Sequence, residues 1–559
     1  MKTFAGASRQ RGAIAMMTAV FLIFALLCLV LVVDTGRLYY EKRSLQRIAD
    51  SSALDAATEG GLCSLDSGPG LESLAAVSAS RNGFTGNISA APNAVSGGYM
   101  ETVDGIRVFN EDASRIEAVQ VVLGKDVPAS IVAGGLFGGI VPLRVQATAQ
   151  RIPSITFSAG SALLNVSSAE SALLNPLLNG LLGSNLNLNA VAYQGIANAD
   201  VSLLDFMRTA GLIGTRITAG AVDQALNTSI SLANFSTATV NVLDQKQVAG
   251  VGLLSNQLLG VKNLTLKLSD IVAVDSAPGM LEEALKANVN LLELLMAAAM
   301  AANKNNAVAL NLGVAGVTAS LRVIEPPVIG IGWPGMENGN WRTKAKTAQV
   351  RLIVGAAPNL LGLVGGNIGL TAEVAQGEAW FEQARCRTLA TGSTDIDMEG
   401  KTGLASVKLT NASGTGDAEI KVGLGGSGSG GGLGGLFGGG LSILTAEVGL
   451  DTTIGASNIQ DIDYNIVNKK EDLPEMKTMA SGNGLATSIQ KLHVHLTAGP
   501  IGLDLDPLTN VVKGIVVDGV VNDLVNPVVI PLLSLLGVQP GVMDVQLQDI
   551  REGPAILQR

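Results

Sequence analysis

Residues 27–40 read LCLVLVVDTGRLYY, and they set Asp34 behind a run of apolar residues and ahead of Thr-Gly. An aspartic protease presents its catalytic carboxylate in this way. A second copy of the pattern, LCSLDSGPG at 62–70, holds Asp66 before Ser-Gly. Two such carboxylates sharing a proton would make a peptidase dyad. The surroundings oppose it. The two loops of a dyad are brought together by two lobes or two subunits, and Asp34 and Asp66 lie too close in sequence for a lobe between them. No charge occurs from Gly12 to Val33. As a helix that stretch is roughly 33 Å long, enough to cross a hydrocarbon core of about 30 Å. A catalytic strand would need only about five or six residues. Asp34 therefore reads as the first charged residue after a membrane helix.

Other residue types with chemical potential are sparse. The histidines are His493 and His495, in KLHVHLT. On a strand they share a face and could share a metal, but a zinc site needs further ligands, and no H-E-x-x-H is present. No G-x-S-x-G elbow supports a serine nucleophile. Three Asp-x-Asp pairs have calcium-like spacing: Asp395 with Asp397, Asp461 with Asp463, and Asp504 with Asp506. In DIDMEG, Gly400 stands at the sixth position but Ser406 occupies the twelfth, where calcium wants a bidentate acid. DIDYNIV lacks the glycine and reads as strand alternation. Trp333 and Trp341 flank a Gly-Pro-Asn turn, either as hydrophobic anchors of a long loop or as a platform for sugars. Residues 423–441 are rich in glycine without the lysine of a phosphate loop, and read as a flexible loop. The expectation is no catalytic residue, no cofactor, no metal and no small-molecule substrate.

The elements that must carry these residues follow from composition. The chain has 559 residues, 47% hydrophobic, with 3% aromatic and 15% charged residues. This suits a β-rich extracytoplasmic protein better than a cytosolic enzyme. The net charge of −10, without a dense basic block, argues against nucleic acid as a partner. The apolar run is longer than the core of a signal peptide and has no A-x-A site close behind it, so it reads as a retained anchor. Lys2, Arg9 and Arg11 precede it, and Arg37, Lys42, Arg43 and Arg47 follow. That balance leaves orientation open. The short tail and the large polar remainder favour tail inside and bulk outside. Cys28 lies in the span. Cys63 and Cys386 share the other compartment and are disulfide candidates, with free thiols as the alternative.

Beyond Asp34 the chain keeps good helix formers, with Leu38, Leu45, Ile48, Ala49 and Ala56 falling on one side. Residues 34–60 therefore read as an amphipathic stalk that continues the span. Its stripe must be buried against a protein partner or the chain's own ectodomain, because an isolated helix of this length is marginal in water.

The segment from Arg11 to Ala57 also resembles the N-terminal segment of TadG-like Flp (tight adherence, type IVb) pilus-assembly proteins. The matching positions are Arg11, Gly12, Asp34, Gly36, Arg37, Leu38, Tyr39, Leu45, Gln46, Ala49, Asp50, Ala53 and Leu54. The resemblance implies a bacterial inner-membrane protein with a periplasmic bulk and other pilus-assembly proteins or pilins as partners. The ending VQATAQ resembles the companion domain of such chains. The metal motif of the von Willebrand factor A-like domain carried by some large relatives is missing. Prepilin peptidase cuts after a glycine and favours Glu five residues on, whereas Met17 stands there after Gly12.

Further along, Asp104-Gly105 between apolar arms predicts a hairpin. EAVQVVL predicts a strand, and VPASIVAGGLFGG a short helix. In PLRVQATAQ, Leu143, Val145, Ala147 and Ala149 alternate with polar residues, as a half-buried strand requires. Residues 280–304 predict the best soluble helix. The segments at 289–302 and 526–538 are too short and too interrupted to span a membrane.

The expected fold class is α+β and β-rich. A single transmembrane helix continues as a stalk into a large periplasmic region of short antiparallel strands with a few helices. The expected organisation is a tail at 1–12, the anchor at 13–33, the stalk at 34–60, a small α/β domain at 61–152 and a β-rich region at 153–559. The expected function is non-enzymatic pilus assembly through protein contacts. The alternatives are a surface adhesin or carbohydrate-binding protein, and a membrane-anchored hydrolase.

Overall fold

The computed structural model of the protein describes residues 11–59, 70–103, 106–112, 116–130, 139–160, 168–188, 190–214, 217–247, 261–275, 281–357, 365–385, 393–415, 418–423, 443–449, 451–454, 458–480, 493–497, 514 and 520–558. The chain divides into two compact units. One comprises Met1–Ile152, Arg385–Thr394 and Glu552–Arg559, and the other Pro153–Ala384 and Asp395–Arg551.

The first unit begins with one continuous helix, α1 (Arg11–Glu59). No proline interrupts it, and the sequence Gly60-Gly61 follows its last residue. Its 49 residues amount to about 73 Å. A second helix, α2 (Leu71–Arg81), packs beside its C-terminal half, with Ala75 and Ala79 buried there. Four antiparallel strands follow: β1 (Ala94–Val103), β2 (Ile106–Glu111), β3 (Ala118–Pro128) and β4 (Ile140–Ala159), whose residues up to Ile152 belong to this unit. Their order in the sheet is β2-β1-β3-β4.

The pairing Val103↔Ile106 closes β1 onto β2 across the Asp104-Gly105 dipeptide, the hairpin that the sequence predicts. β3 and β4 pair from Ala118↔Gln150 to Pro128↔Ile140. On the face toward α1 stand Val119, Val121, Leu123 and Val127 of β3 with Leu143, Val145, Ala147 and Ala149 of β4. The alternation of PLRVQATAQ is thus its burial pattern from Leu143 to Ala147, beyond which Thr148 and Gln150 are buried as well. The short helix expected at VPASIVAGGLFGG meets strand at both ends, since Pro128 closes β3 and Ile140 opens β4. Its middle, 131–138, lies outside the described residues.

The second unit contradicts one helix boundary. Residues 280–304 form two helices, Leu281–Leu285 and Leu291–Ala302, separated by the short strand Asn288–Asn290. That strand pairs with Asp200–Ser202, and Val289 is fully buried. Asn290 explains the break. Its side chain accepts from the backbone N–H groups of Leu292 at 3.1 Å and Glu293 at 3.2 Å, and donates to the carbonyl of Ala197 at 2.7 Å. An asparagine that satisfies the first orphan donors starts a helix where it stands. The helix it caps is apolar but for Glu293 and lies in the core. The segment at 526–538 is mostly buried from Val528 onward, and its residues up to Leu535 lie in the helices Val520–Val529 and Ile530–Leu535.

After Ala302 the unit is mostly strand. One antiparallel sheet runs in the order Ala307–Leu310, Val317–Glu325, Gln349–Ala356, Gly365–Val374, Ala418–Gly423, Ile443–Gly449 and His493–Thr497. A smaller sheet orders Lys344–Lys346, Glu378–Arg385, Thr394–Lys401 and Ile459–Ile466. Its core holds Phe381 and Tyr464, both fully buried, and the Tyr464 hydroxyl donates to the carbonyl of Val545 at 2.7 Å. Gly160 and Gly537 cross with both backbones at positive φ, and a Cβ on either would strike the other's carbonyl. Only glycine fits such a crossing.

Candidate functional site

The most distinctive feature of the described chain is the change of environment along α1. From Ile14 to Val33 the side chains are exposed, Met17 by 77% and Val33 by 48%. Exposed apolar surface of this extent marks contact with a membrane or another protein. Among the described residues this is the one helix long and apolar enough to cross a membrane. At Asp34 the exposure drops to 8%. From Leu45 onward one face enters the core of the first unit, with Leu45, Ile48, Ala49, Ala53, Ala56 and Ala57 all buried.

The stripe residues read from the sequence therefore lie together. Leu45, Ile48 and Ala49 pack into the cluster that holds the inner faces of β3 and β4, and Leu38 lies partly buried at its margin. Burial of a leucine stabilises by roughly 1.5–3 kcal/mol, so apolar packing supplies most of the attachment. The four buried alanines have no side-chain bulk beyond Cβ and let α1 approach α2 and the sheet closely.

Polar contacts set the register. The Arg37 guanidinium donates to the carbonyl of Pro128. Lys125 Nζ donates to Glu41 at 2.8 Å. The side-chain amide of Gln46 donates to the carbonyl of Gln146 and to Asp50 Oδ1, each at 2.8 Å. Ser78 donates to Asp55 Oδ2 at 2.5 Å. The Glu41–Lys125 pair is largely solvated, and such pairs contribute about 0–1 kcal/mol. The opposite face of α1 stays exposed and carries Tyr39, Tyr40, Lys42, Arg43 and Arg47.

Part of this unit was not legible in the sequence. Ala555 shares the core with Leu45, and Leu557 packs against it. Arg151 Nε donates to the carbonyl of Gly553 at 2.7 Å. No local pattern links residues so far apart. Asp55 on Ser78 carried no signal either, whereas Ala53 and Ala57 repeat the helical spacing of the stripe and could have been added to it.

The other candidates fall as follows. Cys63, Cys386, Asp66, Asp504 and Asp506 lie outside the described residues, as does most of the Gly-rich stretch 423–441. Cys28 is exposed within the apolar segment. Asp395 and Asp397 sit on the strand Thr394–Lys401, and Asp461 and Asp463 on the strand Ile459–Ile466, where alternation and not a loop spaces them. His493 and His495 lie on the strand His493–Thr497, opposite Gly449 and Glu447. Among the described residues no group of three or more His, Cys, Asp or Glu could hold a metal ion.

Trp341 stacks on Trp380 with ring centroids 5.7 Å apart, and Trp333 is nearly buried with Arg342 over its ring. The Trp380 indole donates to Glu399 at 2.9 Å. One face of Trp341 and one of Trp333 are thus used within the loop. Near them, burial raises the Glu382 carboxyl above its ordinary range, and the charges of Glu399, Asp397, Asp461 and Asp463 add to the effect.

Comparison with known families places the anchor region. Residues 12–59 match the family described as Flp pilus-assembly TadE/G-like, and residues 62–149 match the one described as Tad-like Flp pilus-assembly. Residues 170–300 match a domain of unknown function, DUF8293. No curated protein matches the chain, and no solved structure does. The first match falls on α1, and the second on the segment from just after α1 through the first half of β4, which supplies α2 and the sheet. Both parts of the pattern stand in order along residues 12–149, behind an apolar helix of spanning length, so this part of the chain is similar to TadG-like Flp pilus-assembly proteins.

Proposed function

We propose that the protein is a non-enzymatic component of the Flp pilus-assembly machinery, held in the bacterial inner membrane by residues 13–33, with residues 1–12 in the cytoplasm and the remainder in the periplasm. The observation that carries this reading is the continuity of α1. One helix supplies both the exposed apolar segment and the buried stripe of the first unit. The unit is therefore held close to the bilayer, which suits a component that meets pilins or other assembly proteins as they leave the membrane. Partner contacts fall on the exposed side of α1, at Tyr39, Tyr40, Arg43 and Arg47, because the stripe side is taken up by the chain's own sheet. The domains at 61–152 and 153–559 display further contact surface, and Cys63 and Cys386 pair as a disulfide in the oxidising compartment.

Deletion of the gene with piliation scored by electron microscopy tests the role. Loss of Flp pili, restored by the full chain and not by a chain lacking residues 13–33, is the expected result. Normal piliation in the deletion strain would remove assembly as the function.

A further inference from the structure

The polar contacts of α1 also fix which end of the sheet faces the anchor. Along α1 the order Arg37, Glu41, Gln46 meets Pro128, Lys125 and Gln146. Gln146 pairs with Val122. Toward the apolar segment, β3 therefore runs to its C-terminus and β4 back to its N-terminus. The Pro128–Ile140 end of the pair therefore lies toward the span. The β1–β2 hairpin points the other way, since Gly98 pairs with Ala118 at the start of β3 and β1 continues beyond it.

The levels can be compared. Arg37 stands four residues past Val33, about 6 Å along the helix axis. Helical side chains lean toward the N-terminus, so its reach to Pro128 is toward the span. The headgroup layer on each side of the hydrocarbon core is about 5–7 Å thick. Pro128 thus lies at headgroup depth when the span fills the core. Tyr39 and Tyr40, 67% and 72% exposed, follow about 9–10 Å past Val33, just outside that layer.

The β3–β4 pair continues past Pro128, with Ala129 N–H donating to the carbonyl of Gly139 at 2.8 Å. Ile140 is 68% exposed there. The chain carries no charge between Asp126 and Arg144, and the sequence around this end reads VPASIVAGGLFGGIVPL. The opposite hairpin, by contrast, is flanked by Glu101, Asp104 and Arg107. Pro128, Gly139 and Ile140, exposed and uncharged at headgroup depth next to an apolar helix, fit lipid and not water.

We propose that the β3–β4 end of the sheet is a second membrane contact, in which Pro128, Ala129, Gly139 and Ile140 rest on the bilayer that α1 crosses. This inference rests on the anchor reading above. Two contacts on one rigid unit would fix the tilt and rotation of α1, which a single span leaves free, and so aim the exposed Tyr40–Arg43–Arg47 face in a set direction along the membrane.

The test uses the full chain in phospholipid nanodiscs, with Cys28, Cys63 and Cys386 replaced by serine. A nitroxide label is placed in turn at Val33→Cys, Ile140→Cys and Val108→Cys, the last a half-exposed position on β2. Collision with oxygen, which partitions into lipid, is compared with collision with a water-soluble nickel chelate. The expected result is that Ile140 resembles Val33, rich in oxygen collisions and shielded from nickel, while Val108 shows the reverse. If Ile140 resembles Val108 while Val33 still reports lipid, the second contact is overturned and the anchor stands. If Val33 itself reports water, the anchor reading falls and the proposal with it.

Discussion

The side-chain amide of Gln46 lies 2.8 Å from the backbone carbonyl of Gln146, one hundred residues further along the chain. It fixes α1 against β4 at the depth where Leu45 enters the core. The helix that carries the exposed apolar segment is thereby held against the sheet.

That junction predicts an asymmetry between neighbouring positions. Leu45 is 2% exposed and Arg43 faces solvent. Leu45→Asp removes the packed leucine and buries a charge, and leucine truncations in cores alone cost about 2–5 kcal/mol. The first unit should become sensitive to limited proteolysis in detergent, with membrane insertion retained and pili lost. Arg43→Asp should leave proteolysis unchanged. Equal protease sensitivity of the two variants would mean that the stripe does not hold the unit together.

Close approach at the alanines predicts an effect of added bulk. Ala53 is fully buried between α1 and its neighbours. Ala53→Leu should destabilise by about 1–3 kcal/mol through overpacking. Ala53→Gly should cost about 1 kcal/mol, through helix propensity. Chemical denaturation followed by the release of a protease site in the first unit would rank the two, and a stabilised leucine variant would refute the close contact.

In the second unit, Asn290→Ala removes a helix cap and leaves the carbonyl of Ala197 without its donor. Caps contribute about 0.5–2 kcal/mol, and a buried unsatisfied group adds about 1–3 kcal/mol. The loss should therefore exceed that of Ser231→Ala, a cap whose side chain accepts only from Asn234 N–H, at 3.1 Å. Thermal denaturation of both variants decides it, and equal shifts would reduce Asn290 to an ordinary cap.

Glu378 supplies a pH dependence. Partial burial pushes its carboxyl up, but hydrogen bonds from Lys346 and Lys401 outweigh this and hold it below the ordinary glutamate value. A carboxyl lowered on folding stabilises above its unfolded pKa, and that contribution is lost as pH falls through the folded value. The difference in stability between the wild-type chain and Glu378→Gln should accordingly be largest at neutral pH and shrink below about pH 4. The pair is partly solvated, so the effect should be modest and weakened by salt. A gap between the two proteins that grows on acidification would contradict the assignment.

The sequence by itself determined whatever depends on neighbours within a few residues. The uncharged run before Asp34, the stripe of Leu38, Leu45, Ile48 and Ala49, the turn at Asp104-Gly105 and the alternation of β4 are all periodic, and periodicity sets helix, strand and the face that seeks burial. Tertiary structure alone decided what covers each face. It brought Ala555 to Leu45, set Gln46 on Gln146, crossed Gly160 with Gly537, and broke the helix at 288–290 by pairing Asn290 with Asp200. An apolar stripe records that it will be buried, but apolar attraction is non-directional and does not name its partner. The partner is chosen by the shape and hydrogen-bond geometry of segments hundreds of residues away, which leave no trace in the local pattern.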